Sequence, residues 1–210
     1  MLNKILAVCL LLLLVSPAIA ESTELESVLM ELKRAAATTQ SLSSKFEQQK
    51  NLAIFAEKLL SQGRFVYQKP DRLRWELLTP VASGFILQGK QGQRWNALSQ
   101  EQGSFSVETD PIMGMIAQQL LAWARVDLDW LQQRYRMELQ SAEPVRLRLS
   151  PLDAGEAGFI DYLQIQFAAD RSHVAEVLMV EQEGDSTLLS FNEVQINTEL
   201  PTNAFTAPDF

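Results

Sequence analysis

One device recurs along this chain: a short run of alternating apolar and polar side chains, followed by a turn. Residues 67–80, YQKPDRLRWELLTP, show it most clearly. Leu73, Trp75 and Leu77 alternate with Arg72, Arg74 and Glu76 between two prolines. A period of two describes a strand with one apolar and one charged face. Similar runs begin at Gly63, at Phe85, at Gly92 and near Phe105, and return after residue 134 at Tyr135, Val145, Asp161, His173 and Thr187. Turn signals separate them, among them Pro70-Asp71, Gly89-Lys90-Gln91-Gly92, Ala169-Asp170-Arg171-Ser172 and Glu183-Gly184-Asp185. Sequential strands joined by short turns make an antiparallel sheet, and roughly nine or ten of them make a sheet that curls.

Helices are expected at two places. Leu25, Val28, Leu29, Leu32, Ala35 and Ala36 recur at helical spacing between Glu21 and about Thr39, ending at Ser41-Leu42-Ser43-Ser44. Lys45 to Lys50 then reads as a first strand, and residues 51–62 as a connector too apolar for a free loop. Asp110-Pro111 is a helix start, a cap followed by proline in the first turn. It opens an apolar helix holding Met113, Gly114 and Met115, and a shorter helix follows from Asp127. Methionines suit a surface that repacks around variable apolar partners, and a mid-helix glycine weakens the helix. No linker or repeat divides the chain, so residues 21–210 read as one domain.

Residues 1–20 read as a secretory signal peptide, with Lys4 in the n-region, an apolar stretch from Ile5 to Val15, and an A-x-A pattern ending at Ala20. The only cysteine, Cys9, lies inside that segment. The exported chain therefore has neither a disulfide nor a lipidation cysteine and must build its own core. Without Lys4 it carries 17 basic against 26 acidic residues, a charge of −9. Such acidity disfavours nucleic acid as a partner.

Catalytic signals are sparse. His173 is the only histidine and lies beside a turn. No nucleophile elbow, dinucleotide fingerprint or phosphate loop occurs, and the acidic clusters near Asp153 and Glu181 match no calcium loop. No cofactor, metal or enzymatic activity is expected. The surplus is apolar instead: Phe46, Phe65, Tyr67, Leu73, Trp75, Leu77, Phe85, Leu87, Trp95, Met113 and Met115 fill either a core or the lining of a cavity.

Gly63 to Glu76, GRFVYQKPDRLRWE, followed by Thr79-Pro80, resembles the signature segment of the periplasmic outer-membrane lipoprotein carriers, the LolA family. Ser43 to Gln48 is similar to that family's first strand, Phe85 to Trp95 to its next hairpin, and Phe191 to Val194 with Asn197 and Phe205 to Pro208 to its last strand and C-terminal segment. The resemblance implies an α+β fold: an unclosed, strongly curved antiparallel half-barrel with helices as a lid over the concave face. It implies a monomeric periplasmic carrier whose cavity, lined by the aromatic and aliphatic residues just named, shields the acyl chains of a lipoprotein. Donor and acceptor would be an inner-membrane ABC transporter and an outer-membrane receptor. On this reading Leu73, Trp75 and Leu77 face lipid or lid, Arg72, Arg74 and Glu76 face water, and Leu73→Glu abolishes lipid binding while sparing the fold.

The sequence departs from the family pattern at Lys69, where the best-known carriers have an arginine that holds the lid shut. Lysine donates from a point rather than a planar fork, so a latch here would be weaker. The long apolar segments 52–60 and 112–130 also depart, which keeps other cargo open: a glycolipid or a lipid-linked pigment working with a membrane exporter. A third reading is a same-fold domain that senses envelope stress through a partner protein; known relatives of that kind carry a further C-terminal domain, whereas this sequence ends at Phe210.

Overall fold

The structure, a computed structural model, describes residues 17–54 and 57–208, with side chains from residue 23 onward. Most of the expected signal segment lies outside the described residues.

Eleven strands form one antiparallel sheet. The first half is a meander: β1 (Ser41–Asn51), β2 (Lys58–Gln68), β3 (Arg72–Thr79), β4 (Ser83–Gln88), β5 (Gln91–Asn96) and β6 (Glu101–Ser106). The second half is another: β7 (Tyr135–Ala142), β8 (Val145–Pro151), β9 (Ile160–Phe167), β10 (Val174–Glu181) and β11 (Ser186–Ile196). β1 pairs with β11, which joins the halves at the middle of the sheet and leaves β6 and β7 as its two edges. The strands expected from the sequence are nearly right but short at the ends. β1 begins at Ser41 rather than Lys45, and β2 begins at Lys58, so residues 58–62 of the apolar connector belong to the β1–β2 hairpin.

The helices follow from that edge arrangement. α2 (Pro111–Arg125) and α3 (Leu128–Arg134) are the whole link between β6 and β7. A connection between the two edges of a curled sheet must cross its mouth. Asp110 caps α2 by accepting from the Met113 amide at 3.1 Å, and Asp127 caps α3 by accepting from the Trp130 amide at 3.1 Å. α1 (Pro17–Ala36) lies alongside, buries Val28, Leu29, Leu32 and Ala36, and is tied to α3 by Lys33–Asp129 at 2.5 Å. A one-turn α4 (Ala154–Ala157) sits where the sequence reads as a plain turn, because Asp153 accepts from the Gly155 and Glu156 amides.

One contiguous apolar core unites the concave face of both meanders with α1, α2 and α3. Two glycines serve it by close approach. Gly114 lets α2 settle on β6's outgoing loop: a Cβ there would stand 2.7 Å from the Val107 carbonyl oxygen. Its role is tight seating, not the loosening of the helix read from the sequence. Gly63 stands opposite Phe46, and a Cβ would collide with that ring and with the Glu76 carbonyl. Gly63→Ala is therefore expected to lower stability by about 1–3 kcal/mol, read as a lower urea midpoint at unchanged slope.

Candidate functional site

Strand register decides which side chains share the concave face. Leu42 stands opposite Tyr67, Ser44 opposite Phe65, Phe65 opposite Trp75, Tyr67 opposite Leu73, Trp75 opposite Phe85, and Leu73 opposite Leu87. Phe46, Phe65, Tyr67, Leu73, Phe85 and Leu87 are buried there, and Trp75 and Leu77 are half-buried against them. The rings form a continuous group: Phe46 stacks on Trp75 at 3.9 Å, Phe65 meets Trp75 edge-on at 6.1 Å, and Phe191 from β11 closes on both phenylalanines. Met113 packs on this core from α2.

Three sequence expectations change. Trp95 stands opposite Gly84, one register step away from the Phe85–Leu87 face. It is buried on the convex side, its ring 5.3 Å from the Arg74 guanidinium carbon. Met115 is 50% exposed, on the outer side of α2 with Ile112 and Ile116. Leu73 is 0% exposed within the packed core, so a charge there strikes the fold before it strikes a ligand.

The charged face of β3 is the largest correction. Arg74 and Glu76 are each 3% exposed and pair at 2.5 Å, with Arg64 joining Glu76 from β2. Residues 197–208 run over the convex face as a strap. Arg74 donates to the carbonyl oxygens of Ala204 at 3.2 Å and Thr206 at 2.7 Å. Arg72 lies 4.2 Å from the Phe205 ring, and Val66, Leu200, Ala204 and Phe205 form a small second core beneath the strap. Asn197 fastens its beginning by accepting from the Gln40 amide at 2.7 Å.

Between α2 and the centre of the sheet lies an apolar crevice, lined by Leu42, Ser44 and Phe65 below and by Leu120, Trp123 and Ala124 above. Its volume is about 20 Å³, room for about one water molecule. Phe191 and Val194 of β11 complete one wall.

Asp170, Ser172 and His173 meet at the β9–β10 turn. Ser172 Oγ lies 2.7 Å from Asp170 and 2.8 Å from His173 Nδ1. The hydroxyl donates to Asp170 and also lies beside the imidazole, whereas in a hydrolytic triad the histidine stands between the acid and the hydroxyl. Burial holds the His173 pKa below its ordinary value, with Asp170 opposing. Among the described residues no cluster of three or more His, Cys, Asp or Glu is placed to hold a metal ion. The Tyr135 hydroxyl donates to Glu156 and lies 3.2 Å from the Gln119 side chain, where α2, α4 and β7 meet; burial, reinforced by Glu156, keeps its phenol protonated far above neutral pH.

An open antiparallel sheet, bridged edge to edge by two helices over an aromatic concave face, matches one family across residues 37–208: outer membrane lipoprotein carrier protein LolA. The chain belongs to the LolA family. No curated protein matches it. Among solved structures, an uncharacterized conserved protein from Thermus thermophilus superposes with a TM-score of 0.55 at 10% identity, covering 89% of this chain and 94% of that one. The Pseudomonas aeruginosa MucA/MucB complex gives 0.54 at 15% identity over 88% of this chain and 61% of that chain. A LolA superfamily protein from Nitrosomonas europaea gives 0.47 at 11%, over 87% and 97%. At these identities the likeness is one of fold.

Within the LolA fold, Lys69 sits in the β2–β3 turn, exposed. Its amide bonds to the Gln40 carbonyl at 2.8 Å, but its ammonium makes no hydrogen bond or ion pair among the described residues. It reaches no carbonyl of the helices, so the latch expected from the sequence has no contact to work through. Lys69→Leu is expected to leave the urea midpoint unchanged within about 0.5 kcal/mol, as for a surface substitution; a clear loss of stability would show a contact for the ammonium. A different feature went unseen in the sequence. The turns after β1, β3 and β5 share one end of the LolA-family sheet, and there Ile54, Leu60, Leu78 and Leu98 are exposed. Topology alone collects them.

Proposed function

We propose that this LolA-family chain is a non-catalytic periplasmic carrier of a lipoprotein's acyl chains. It would take them from an inner-membrane ABC transporter and deliver them to an outer-membrane receptor. The observation that carries this reading is the helical bridge. α2 and α3 cover a largely apolar concave face, yet no strand hydrogen bonds join β6 to β7 beneath them. The bridge can lift without breaking the sheet, and acyl chains then replace its apolar contacts.

The magnitudes fit a carrier. Acyl burial gains about 0.8 kcal/mol per methylene, so a chain of roughly fifteen is worth about 12 kcal/mol. Escape into water is correspondingly slow, whereas exchange against the carrier's own apolar face is nearly balanced. The described state is closed, so loading includes the work of moving the bridge. The apolar turn tips offer a contact for the membrane-bound donor and acceptor. Ile54→Asp with Leu98→Asp is expected to slow acyl transfer to receptor-bearing vesicles severalfold while leaving acyl binding intact; unchanged transfer would remove that rim from the pathway.

Native mass spectrometry of the protein drawn gently from its own periplasm tests the whole reading. A co-purifying acylated protein supports lipoprotein carriage. A bound glycolipid or lipid-linked pigment keeps the cavity and changes the cargo. A partner protein held without lipid would favour a sensing role instead.

A further inference from the structure

The crevice beneath α2 is apolar but for two groups, and both are buried without a partner. Ser44 is 6% exposed, and its Oγ has no hydrogen bond among the described residues. Trp123 Nε1 is likewise buried and unpaired. An indole N–H can only donate, and a hydroxyl can donate or accept. Leaving such groups unsatisfied costs stability, and natural structures rarely do so without a reason.

The backbone is irregular beside one of them. Opposite Ser44 the β1–β11 register slips: Ser43 stands against Gln195, but Lys45 against Asn192. Two residues of β11, Glu193 and Val194, therefore oppose the single Ser44. Glu193 takes a left-handed backbone with φ of 51°, strained for a glutamate, and its carboxylate turns away to Lys45 at 2.8 Å. Bulges of this kind re-aim side chains beside functional sites. This one turns Val194 into the crevice wall next to Ser44.

The lining carries no ionisable side chain. A carboxylate or phosphate entering it would lose its hydration with no cation in return. What fits two unpaired polar groups in a crevice the size of one water is a single neutral acceptor oxygen, its hydrocarbon chain lying in the space that opens as the bridge moves. We infer that Ser44 Oγ and Trp123 Nε1 bind the carbonyl oxygen of an ester- or amide-linked acyl chain, setting how deep the chain enters. This rests on the carrier reading. It adds that the site reads the acyl linkage and not hydrocarbon alone.

The test compares ligands that differ only at that oxygen. Dioctanoylglycerol, its dioctyl diether and an N-octanoyl amide compete with Nile red for the full mature protein. Two modest hydrogen bonds are worth about tenfold in affinity. The wild type is expected to bind the diester about tenfold tighter than the diether. The Ser44→Ala, Trp123→Phe double variant should bind both at the diether level, with Ser44→Thr restoring part of the preference. Gain for the amide as well assigns the site to any acyl carbonyl; gain for the diester alone assigns it to ester-linked chains. Equal binding of diester and diether by the wild type would overturn the inference and leave carriage standing, with the two groups merely hydrated. A preference that survives in the folded double variant would also overturn it. If no ligand displaces the dye, the carrier reading fails and this inference with it.

Discussion

Leu73→Glu is expected to leave the chain largely unfolded in plain buffer. Leu73 is fully buried on β3, between Tyr67 on one neighbouring strand and Leu87 on the other, beneath the helical bridge. Losing a buried leucine's packing costs about 2–5 kcal/mol. The introduced carboxyl adds the cost of burial, either as a charge or as the work of protonating it. Together these approach the about 5–15 kcal/mol that holds a domain folded. The sign with pH follows. A glutamate whose folded pKa is raised binds more protons folded than unfolded, so the variant should recover stability as pH falls toward the carboxylate range. Far-UV circular dichroism against pH and urea reads both effects, with Leu73→Met as a near-neutral control. A variant that folds normally and fails only to bind acyl chains would show that Leu73 faces an openable cavity, as the sequence alone suggested.

Arg74→Ala should come next in severity, at about 3–5 kcal/mol. It leaves Glu76 buried with Arg64 as its remaining cation, and it strips the carbonyl oxygens of Ala204 and Thr206 of their donor. The signature of this particular loss is local as well as global. Residues 197–208 should become protease-sensitive under conditions where the sheet remains intact, because Arg74 is what holds the middle of the strap. Arg74→Lys should rescue little, since one ammonium cannot serve a carboxylate and two carbonyls in the guanidinium's planar geometry. Limited proteolysis with mass mapping, beside a urea titration, separates the two effects. A strap that stays protected in Arg74→Ala would mean that Asn197 and the Phe205 cluster hold it unaided.

Much of this was legible from residues alone. Period-two runs and turn chemistry located the strands, though not their ends, because propensity fades over the last residues of an element while pairing continues. The short side chains of Ser41 to Ser44 hid the start of β1, which forms because β2 and β11 both pair with it. Asp110 and Asp127 announced their helices because capping is a local bond, satisfied within three residues. The segment around Trp75 also carried the family, which the match over residues 37–208 bears out.

Alternation, turns and caps could be read without a structure because all are interactions between near neighbours. What lies against each face follows from distant parts of the chain. Arg74 and Glu76 read as solvent-facing because they alternate with Leu73 and Trp75, yet the strap that covers them arrives from 130 positions away. Trp95 reads as one more cavity aromatic, and a single register step puts it on the other side of the sheet. Ser44 reads as an ordinary polar residue, yet it lines one crevice with Trp123, beside a bulge in a strand some 150 residues later. A period of two states that a strand has two unlike faces. Which surface covers each is settled by long-range packing, where the free energy of burial depends on residues that no local window contains.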